Sequence, residues 1–180
     1  MNVDTVKATL GSGLLAFPVT YFDEQGQFNE AGYRESIQRN LDNGAVALFA
    51  AGGTGEFFSL GLGEFRRVVG AAVQEARGRV PIVAGAGYGT GLAIELAKAA
   101  EEAGADDVLL FPPYLLKSEQ EGLETHVRAV CRSVGIGVVI YNRDNAIYAP
   151  ETVARLAEDC PNLIGFKDGD GDVEHLVAVR

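Results

Sequence analysis

Apolar runs of strand length alternate with stretches of helical periodicity along the whole chain, and this alternation limits the possible folds more than any other feature. The runs are Leu14–Thr20, Ala45–Ala50, Pro81–Gly87, Asp107–Pro112, Gly137–Asn142 and Leu163–Lys167. Between them, apolar residues recur at three- and four-residue spacing near Asn29–Asn43, Gly63–Arg77, Ser118–Val134 and Pro150–Asp159. The clearest helical stripe is Ala93, Ile94, Ala97, Ala100, Ala103, with Gly104 placed to end it. Ser118-Glu119-Gln120-Glu121 offers a capping box for the helix it opens. A β-then-α repeat of about thirty residues calls for parallel strands covered by helices, because parallel neighbours need a long crossover between them.

Two architectures satisfy six such units: a doubly wound sheet, or six of the eight units of a TIM (β/α)8 barrel. The sixth unit begins its helix near Asp172, and Arg180 follows within it. The expectation is therefore a single (β/α) barrel domain over residues 1–180, truncated at the C-terminus, with its first and last strands as open edges.

A net charge of −10 leaves no basic stripe to neutralise phosphates, so no nucleic-acid partner is expected. Two cysteines, Cys131 and Cys160, fit a reducing compartment rather than a disulfide framework. No segment is long enough to span a bilayer and the first residues lack a secretory pattern, so no membrane partner and a cytoplasmic location are expected.

In both architectures the C-terminal ends of the strands meet at the site. These ends carry Pro18-Val19-Thr20, Gly52-Gly53-Thr54-Gly55-Glu56, Gly85-Ala86-Gly87, Pro112-Pro113-Tyr114, Tyr141-Asn142-Arg143 and Lys167-Asp168. Lys167 closes an apolar run, Leu163-Ile164-Gly165-Phe166. Desolvation favours the neutral form of a buried lysine, and a neutral amine attacks ketone carbons, so Lys167 is a candidate Schiff-base nucleophile. The competing reading is a lysine that reaches solvent or pairs with Asp168. The glycines at 52, 53 and 55 let backbone amides face an anion and Thr54 adds a hydroxyl, which suits a carboxylate; an ordinary tight turn is the alternative. Glu56 is expected to satisfy nearby backbone groups. A phenol at Tyr141 can move protons beside an imine, or serve only as a core residue tied to backbone.

Other patterns are weaker. Asp168-Gly169-Asp170-Gly171-Asp172 lacks the sixth-position glycine and twelfth-position glutamate of a calcium loop and reads instead as an acidic turn capping the next helix. Gly85-Ala86-Gly87-Tyr88-Gly89-Thr90 has threonine where a dinucleotide loop has its third glycine. His126 and His175 have no ligand-type residues at metal spacing, so neither metal nor cofactor is expected.

As a set, Ala16-Phe17-Pro18-Val19-Thr20, the Gly-rich turn with Thr54 and Glu56, Tyr141-Asn142 and Gly165-Phe166-Lys167-Asp168 resemble the dihydrodipicolinate synthase / N-acetylneuraminate lyase family. The resemblance implies a (β/α)8 barrel, commonly tetrameric, with Lys167 forming an imine with a 2-keto acid and Tyr141 relaying protons. It also implies that Thr54 and the backbone of Gly53 bind the substrate carboxylate. Three departures set the chain apart from the synthases. Gly53 stands where they have a first threonine, Leu115 where a second tyrosine completes a relay across a subunit interface, and Arg143-Asp144-Asn145 lacks their proline. Together with Gly52-Gly53-Thr54-Gly55-Glu56-Phe57-Phe58-Ser59-Leu60, the Tyr141-Asn142-Arg143 string points within the family to a dehydratase acting on a keto sugar dicarboxylate. Arg143 is a candidate for the second carboxylate, its alternative being a surface pair with Asp144. An aldolase of the same family, an inactive fragment and a sugar-acid binding module are the competing functions.

Overall fold

The computed structural model describes residues 1–180. It opens with a helix that the periodicity did not suggest, α1 (Val3–Leu10), capped by the Asn2 side chain, which accepts from the Thr5 amide at 2.8 Å. Six β/α units follow. They are β1 (Leu15–Ala16) with α2 (Glu30–Asp42), β2 (Ala47–Ala50) with α3 (Leu62–Ala76), and β3 (Ile82–Ala86) with α4 (Thr90–Glu102). Next come β4 (Asp107–Leu110) with α5 (Gln120–Ser133), β5 (Gly137–Asn142) with α6 (Pro150–Asp159), and β6 (Leu163–Asp168) with α7 (Val173–Val179).

All six strands run parallel in the order β1-β2-β3-β4-β5-β6. A doubly wound sheet must reverse its strand order partway across; strictly sequential order keeps every crossover helix on one face and curls the sheet as in a barrel. The doubly wound alternative is excluded. The chain forms six parallel β/α units of the (β/α) barrel type, with β1 and β6 each paired on one side only.

The burial pattern explains why these segments took these forms. β2, β3 and β4 are buried along their whole length, which is why they read as continuous apolar runs. β1 is shorter than expected, because residues 17–20 leave the ladder. Gly104 adopts φ 90° just beyond α4, as a C-terminal helix stop should. The Ser118 capping box does not form. Glu119 occupies the cap position of α5 without a side-chain bond. Gln120 is used elsewhere, donating to the Ile147 carbonyl and accepting from the Ala149 amide, both at 2.8 Å. The outer helices are tied together by the largely buried Glu124 of α5, which accepts from Arg128 at 3.0 Å and from Arg155 of α6 at 2.8 Å.

Candidate active site

The residues nominated from the strand ends converge on one cavity of about 840 Å³ at the C-terminal mouth. Its lining includes Phe17, Gly53, Thr54, Tyr141, Arg143 and Lys167. Tyr141 and Lys167 are register partners on β5 and β6, so their side chains leave neighbouring strands on one face. The Lys167 Nζ lies over the Tyr141 ring, 3.7 Å from its centroid, and 6.0 Å from the centroid of Phe17. Lys167 makes no ion pair, so the expected alternative of pairing with Asp168 is not realised.

Asp168 faces the other way. With Asn142, its own register partner, it forms a polar clasp behind the cavity. Asn142, fully buried, donates to Asp168 Oδ1 at 3.2 Å and accepts from the Tyr148 amide at 2.9 Å. Asp168 also accepts from the amides of Gly171 at 2.9 Å and Asp170 at 3.3 Å. The Gly171 amide, with help from Asn142 and Asp170, holds the Asp168 carboxyl below the usual range. Asp172 caps α7 through the His175 amide at 3.1 Å, so the acidic run is the capping turn expected of it. Sequence reasoning missed the role of Asn142, which only the pairing of β5 with β6 reveals.

The Gly-rich turn after β2 sits across the cavity. The backbone amides of Gly53 and Thr54 have no acceptor within the protein, and both residues are exposed and line the cavity. The turn is fixed from the segment after β1: Thr20 donates to the Gly55 carbonyl at 2.6 Å, while a Cβ at Gly55 would lie 3.0 Å from the Pro18 carbonyl oxygen. Glu56 does not do what was expected. Its side chain is exposed without a hydrogen bond, and its backbone turns at φ 60°. Gly85 and Gly87 do not form a phosphate loop; a Cβ at either would run into the Phe57 and Phe111 rings, which stack with centroids 4.9 Å apart. These glycines make room for the aromatic floor under the Gly-rich turn.

Ala51, Glu56, Tyr88, Leu115 and Asp144 have φ between 48° and 68°. All five follow C-terminal strand ends, where left-handed backbone without glycine concentrates the strain expected of a functional rim.

Arg143 makes the pair with Asp144 that was one of its expected readings, and it also lines the cavity. Its Nε pairs with Asp144 Oδ2 at 2.9 Å, and one terminal nitrogen donates to the Tyr141 hydroxyl at 3.2 Å. Burial alone pushes the Tyr141 phenol up, but Lys167 and Arg143 together outweigh it and bring the phenol below its ordinary value. No cluster of three His, Cys, Asp or Glu side chains is arranged to hold a metal. The histidines have structural partners: His126 Nδ1 lies 2.9 Å from the Thr90 hydroxyl and His175 Nε2 lies 2.8 Å from the Tyr148 carbonyl. No helix is long and apolar enough to cross a membrane.

A lysine and a tyrosine thus sit on adjacent parallel strands at a barrel mouth, in one cavity with the Gly-rich turn. Residues 11–180 match the dihydrodipicolinate synthetase family, and the chain belongs to that family. It is 58% identical over 179 residues to a probable 5-dehydro-4-deoxyglucarate dehydratase of Rhizobium rhizogenes, covering 99% of this chain and 59% of that protein. A protein of the same description from Saccharopolyspora erythraea is 58% identical over 171 residues, with 95% and 55% covered. The chain thus spans somewhat under three fifths of the length of these relatives. Among solved structures, dihydrodipicolinate synthase from Acinetobacter baumannii, complexed with pyruvate, superposes with TM-score 0.87 at 34% identity, over 93% of this chain and 58% of that one. The Aquifex aeolicus synthase gives TM-score 0.88 at 31% identity, with 93% and 58% covered.

Proposed function

We propose that this chain carries the imine-forming site of a lyase that converts 5-dehydro-4-deoxyglucarate into 2,5-dioxopentanoate, water and carbon dioxide. The observation that carries the reading is the Lys167 amine resting on the Tyr141 ring at 3.7 Å, inside a cavity that also holds the free amides of Gly53 and Thr54. The similarity to dehydratases of this name supports the choice of substrate.

The chemistry follows from the residues. Lys167 attacks the keto carbon and loses water to give an iminium, which acidifies the neighbouring methylene. Tyr141 takes a proton from that carbon, and the enamine expels the β-hydroxyl as water. The resulting conjugated imine serves as the electron sink when the distal carboxylate, on the hydroxyl-bearing carbon next to the new double bond, leaves as carbon dioxide; the enol left behind tautomerises to the aldehyde, and hydrolysis then frees the product and restores the amine. The amides of Gly53 and Thr54, with the Thr54 hydroxyl, are assigned to the carboxylate beside the keto carbon. Arg143 is assigned to the distal carboxylate through the N–H groups that its two protein contacts leave free. The homo-oligomer implied by the family resemblance belongs to the same proposal, supported by the exposed apolar side chains of Tyr114, Leu115 and Leu116 beside the mouth.

Borohydride trapping with pyruvate, followed by peptide mass mapping, tests the reading. A reduced adduct on Lys167 is expected, lost in Lys167→Ala, and the dicarboxylate should release carbon dioxide only when Lys167 is present. A folded sample that yields no adduct would overturn the imine mechanism and favour a sugar-acid binding role.

A further inference from the structure

The Tyr141 hydroxyl accepts a hydrogen bond from a cation. The Arg143 guanidinium donates to it at 3.2 Å, with the guanidinium carbon 5.8 Å from the ring centroid. A guanidinium has donors only, so the phenol oxygen must accept here and cannot pass its own proton to Arg143. The family's hydroxyl chain is interrupted on both sides, by Gly53 and by the exposed Leu115.

Arg143 is held there by its backbone. Its amide donates to the Ala146 carbonyl at 3.3 Å and its carbonyl accepts from the Ala146 amide at 3.0 Å, closing a two-residue turn at Asp144-Asn145. Asn145 ties that turn to the β4–α5 loop by donating to the carbonyls of Pro113 and Leu116. Asp144, with φ 52°, fixes the Nε side of the guanidinium at 2.9 Å. The remaining neighbours of Tyr141 are accounted for element by element. β6 contributes Lys167 over the ring face, and the Asp168 carboxylate is turned away to Asn142 and Gly171. β4 and its loop contribute the uncharged Phe111 edge at 5.7 Å and, on the same cavity wall, Lys117. The Gly-rich turn adds Thr54 and no charge. Every charge facing the phenol is therefore positive, and the only anion, Asp144, is already paired.

We propose that Arg143 is the positioning residue for Tyr141: it holds the phenol oxygen as an acceptor in the cavity and, with its charge, favours that oxygen as the base that removes a proton from the carbon beside the imine. The inference rests on the Schiff-base reading for its catalytic use, and goes beyond it in giving the tyrosine a fixed orientation and a cationic partner. It also explains how a relay lacking two hydroxyls can still move a proton, because a phenolate stabilised by a cation needs no hydroxyl chain to accept its proton.

The test compares the parent chain with Tyr141→Phe, Arg143→Gln and Arg143→Lys by ultraviolet titration of tyrosinate, without ligand. One tyrosine transition, absent in Tyr141→Phe, is expected below the others. It should move up by roughly one pH unit or more in Arg143→Gln and return partway in Arg143→Lys, since charge is kept but the fork is lost. The second readout is exchange of the pyruvate methyl protons into deuterated water as a function of pH. Arg143→Gln should exchange roughly tenfold more slowly near neutral pH and recover at alkaline pH, where phenolate forms unaided. An unmoved tyrosine transition overturns the proposal, as does a weaker apparent pyruvate affinity with an unchanged pH profile, which would make Arg143 a substrate clamp alone. A moved transition in a protein that forms no borohydride adduct overturns the Schiff-base reading and leaves the Arg143–Tyr141 coupling standing.

Discussion

Asp107 offers the sharpest test of the energetics of this barrel. It opens β4 and shares a face with Leu109, which lines the cavity, so its carboxyl points into the lower interior. Its relative exposure is 0%, and neither carboxylate oxygen has a hydrogen-bond partner. The carboxyl lies against the backbone of Gly137, where any Cβ would collide with it, and beside Ile164. Burial, reinforced by the neighbouring Asp106, raises its pKa from 3.8 to about 7, while the N-terminal ammonium and the Gly137 amide pull the other way. Between those values the folded chain holds a proton that the unfolded chain has released, so stability falls as pH rises and levels off above the folded value. Each pH unit in that window changes the unfolding free energy by about 1.4 kcal/mol, giving a total loss of roughly 4 kcal/mol between about pH 4 and pH 7. That is a large part of the 5–15 kcal/mol typical of a folded domain. Asp107→Asn removes the ionisation and keeps the shape. Its unpaired amide costs stability at every pH, so the informative quantity is the difference between variant and parent. In urea unfolding followed by circular dichroism, that difference should rise in favour of the variant by roughly 4 kcal/mol from about pH 4 to pH 8. A difference that stays flat to within about 1 kcal/mol would refute the reasoning and mean that the carboxylate is solvated or paired in the folded chain.

Two further perturbations probe the support of the site. Thr20→Val keeps the shape of the side chain but removes the 2.6 Å bond to the Gly55 carbonyl, and should cost about 1–3 kcal/mol in urea unfolding while slowing borohydride trapping, because the Gly-rich turn loses its anchor. Gly85→Ala would drive a methyl into the Ala51 carbonyl and within 2.8 Å of Phe57, and should destabilise by about 1–3 kcal/mol; Gly70→Ala, in α3 with nothing within 4 Å of the new methyl, should instead stabilise by about 0.5–1 kcal/mol.

The sequence made some parts of this molecule plain and hid others, for identifiable reasons. Strands buried on both faces leave continuous apolar runs, so β2 through β5 could be placed to within a few residues. The amphipathic helices between them were equally visible. α1 was missed although Asn2 is a good cap and Val3, Val6 and Leu10 lie on one stripe, because a lone helix before the first strand falls outside the repeat. The choice between barrel and doubly wound sheet needed the strand order, which no local pattern carries. At the site, residue types announced Lys167, Tyr141, Thr54 and the glycines, since each is chemically odd at the end of an apolar strand. What they touch was not legible. Thr20, Asn142 and Asp107 each owe their role to a residue more than twenty positions away.

The pairing of β5 with β6 shows how much depends on one such non-local feature. Val138 is opposite Leu163, but the next pair is Val139 with Gly165, so Ile164 is an extra residue on β6. Below this bulge Ile164 turns inward, against Gly137 and Asp107; above it Lys167, three residues on, lines the cavity. Side chains on a regular strand return to one face every two residues, so Ile164 and Lys167 can both face inward only because the bulge breaks the count. Had the ladder continued without it, Tyr141 would stand opposite Phe166, and Lys167 would pair with Asn142 on the face that now holds the Asn142–Asp168 clasp. The amine would be carried out of the cavity with no change in sequence. Gly165 marks the irregularity: its missing side chain leaves the space that Val139 Cγ2 fills, 3.3 Å from where a Cβ would stand. The register shift, with a glycine at the first pair beyond it, thus sets which face of β6 carries Lys167 and brings it opposite Tyr141.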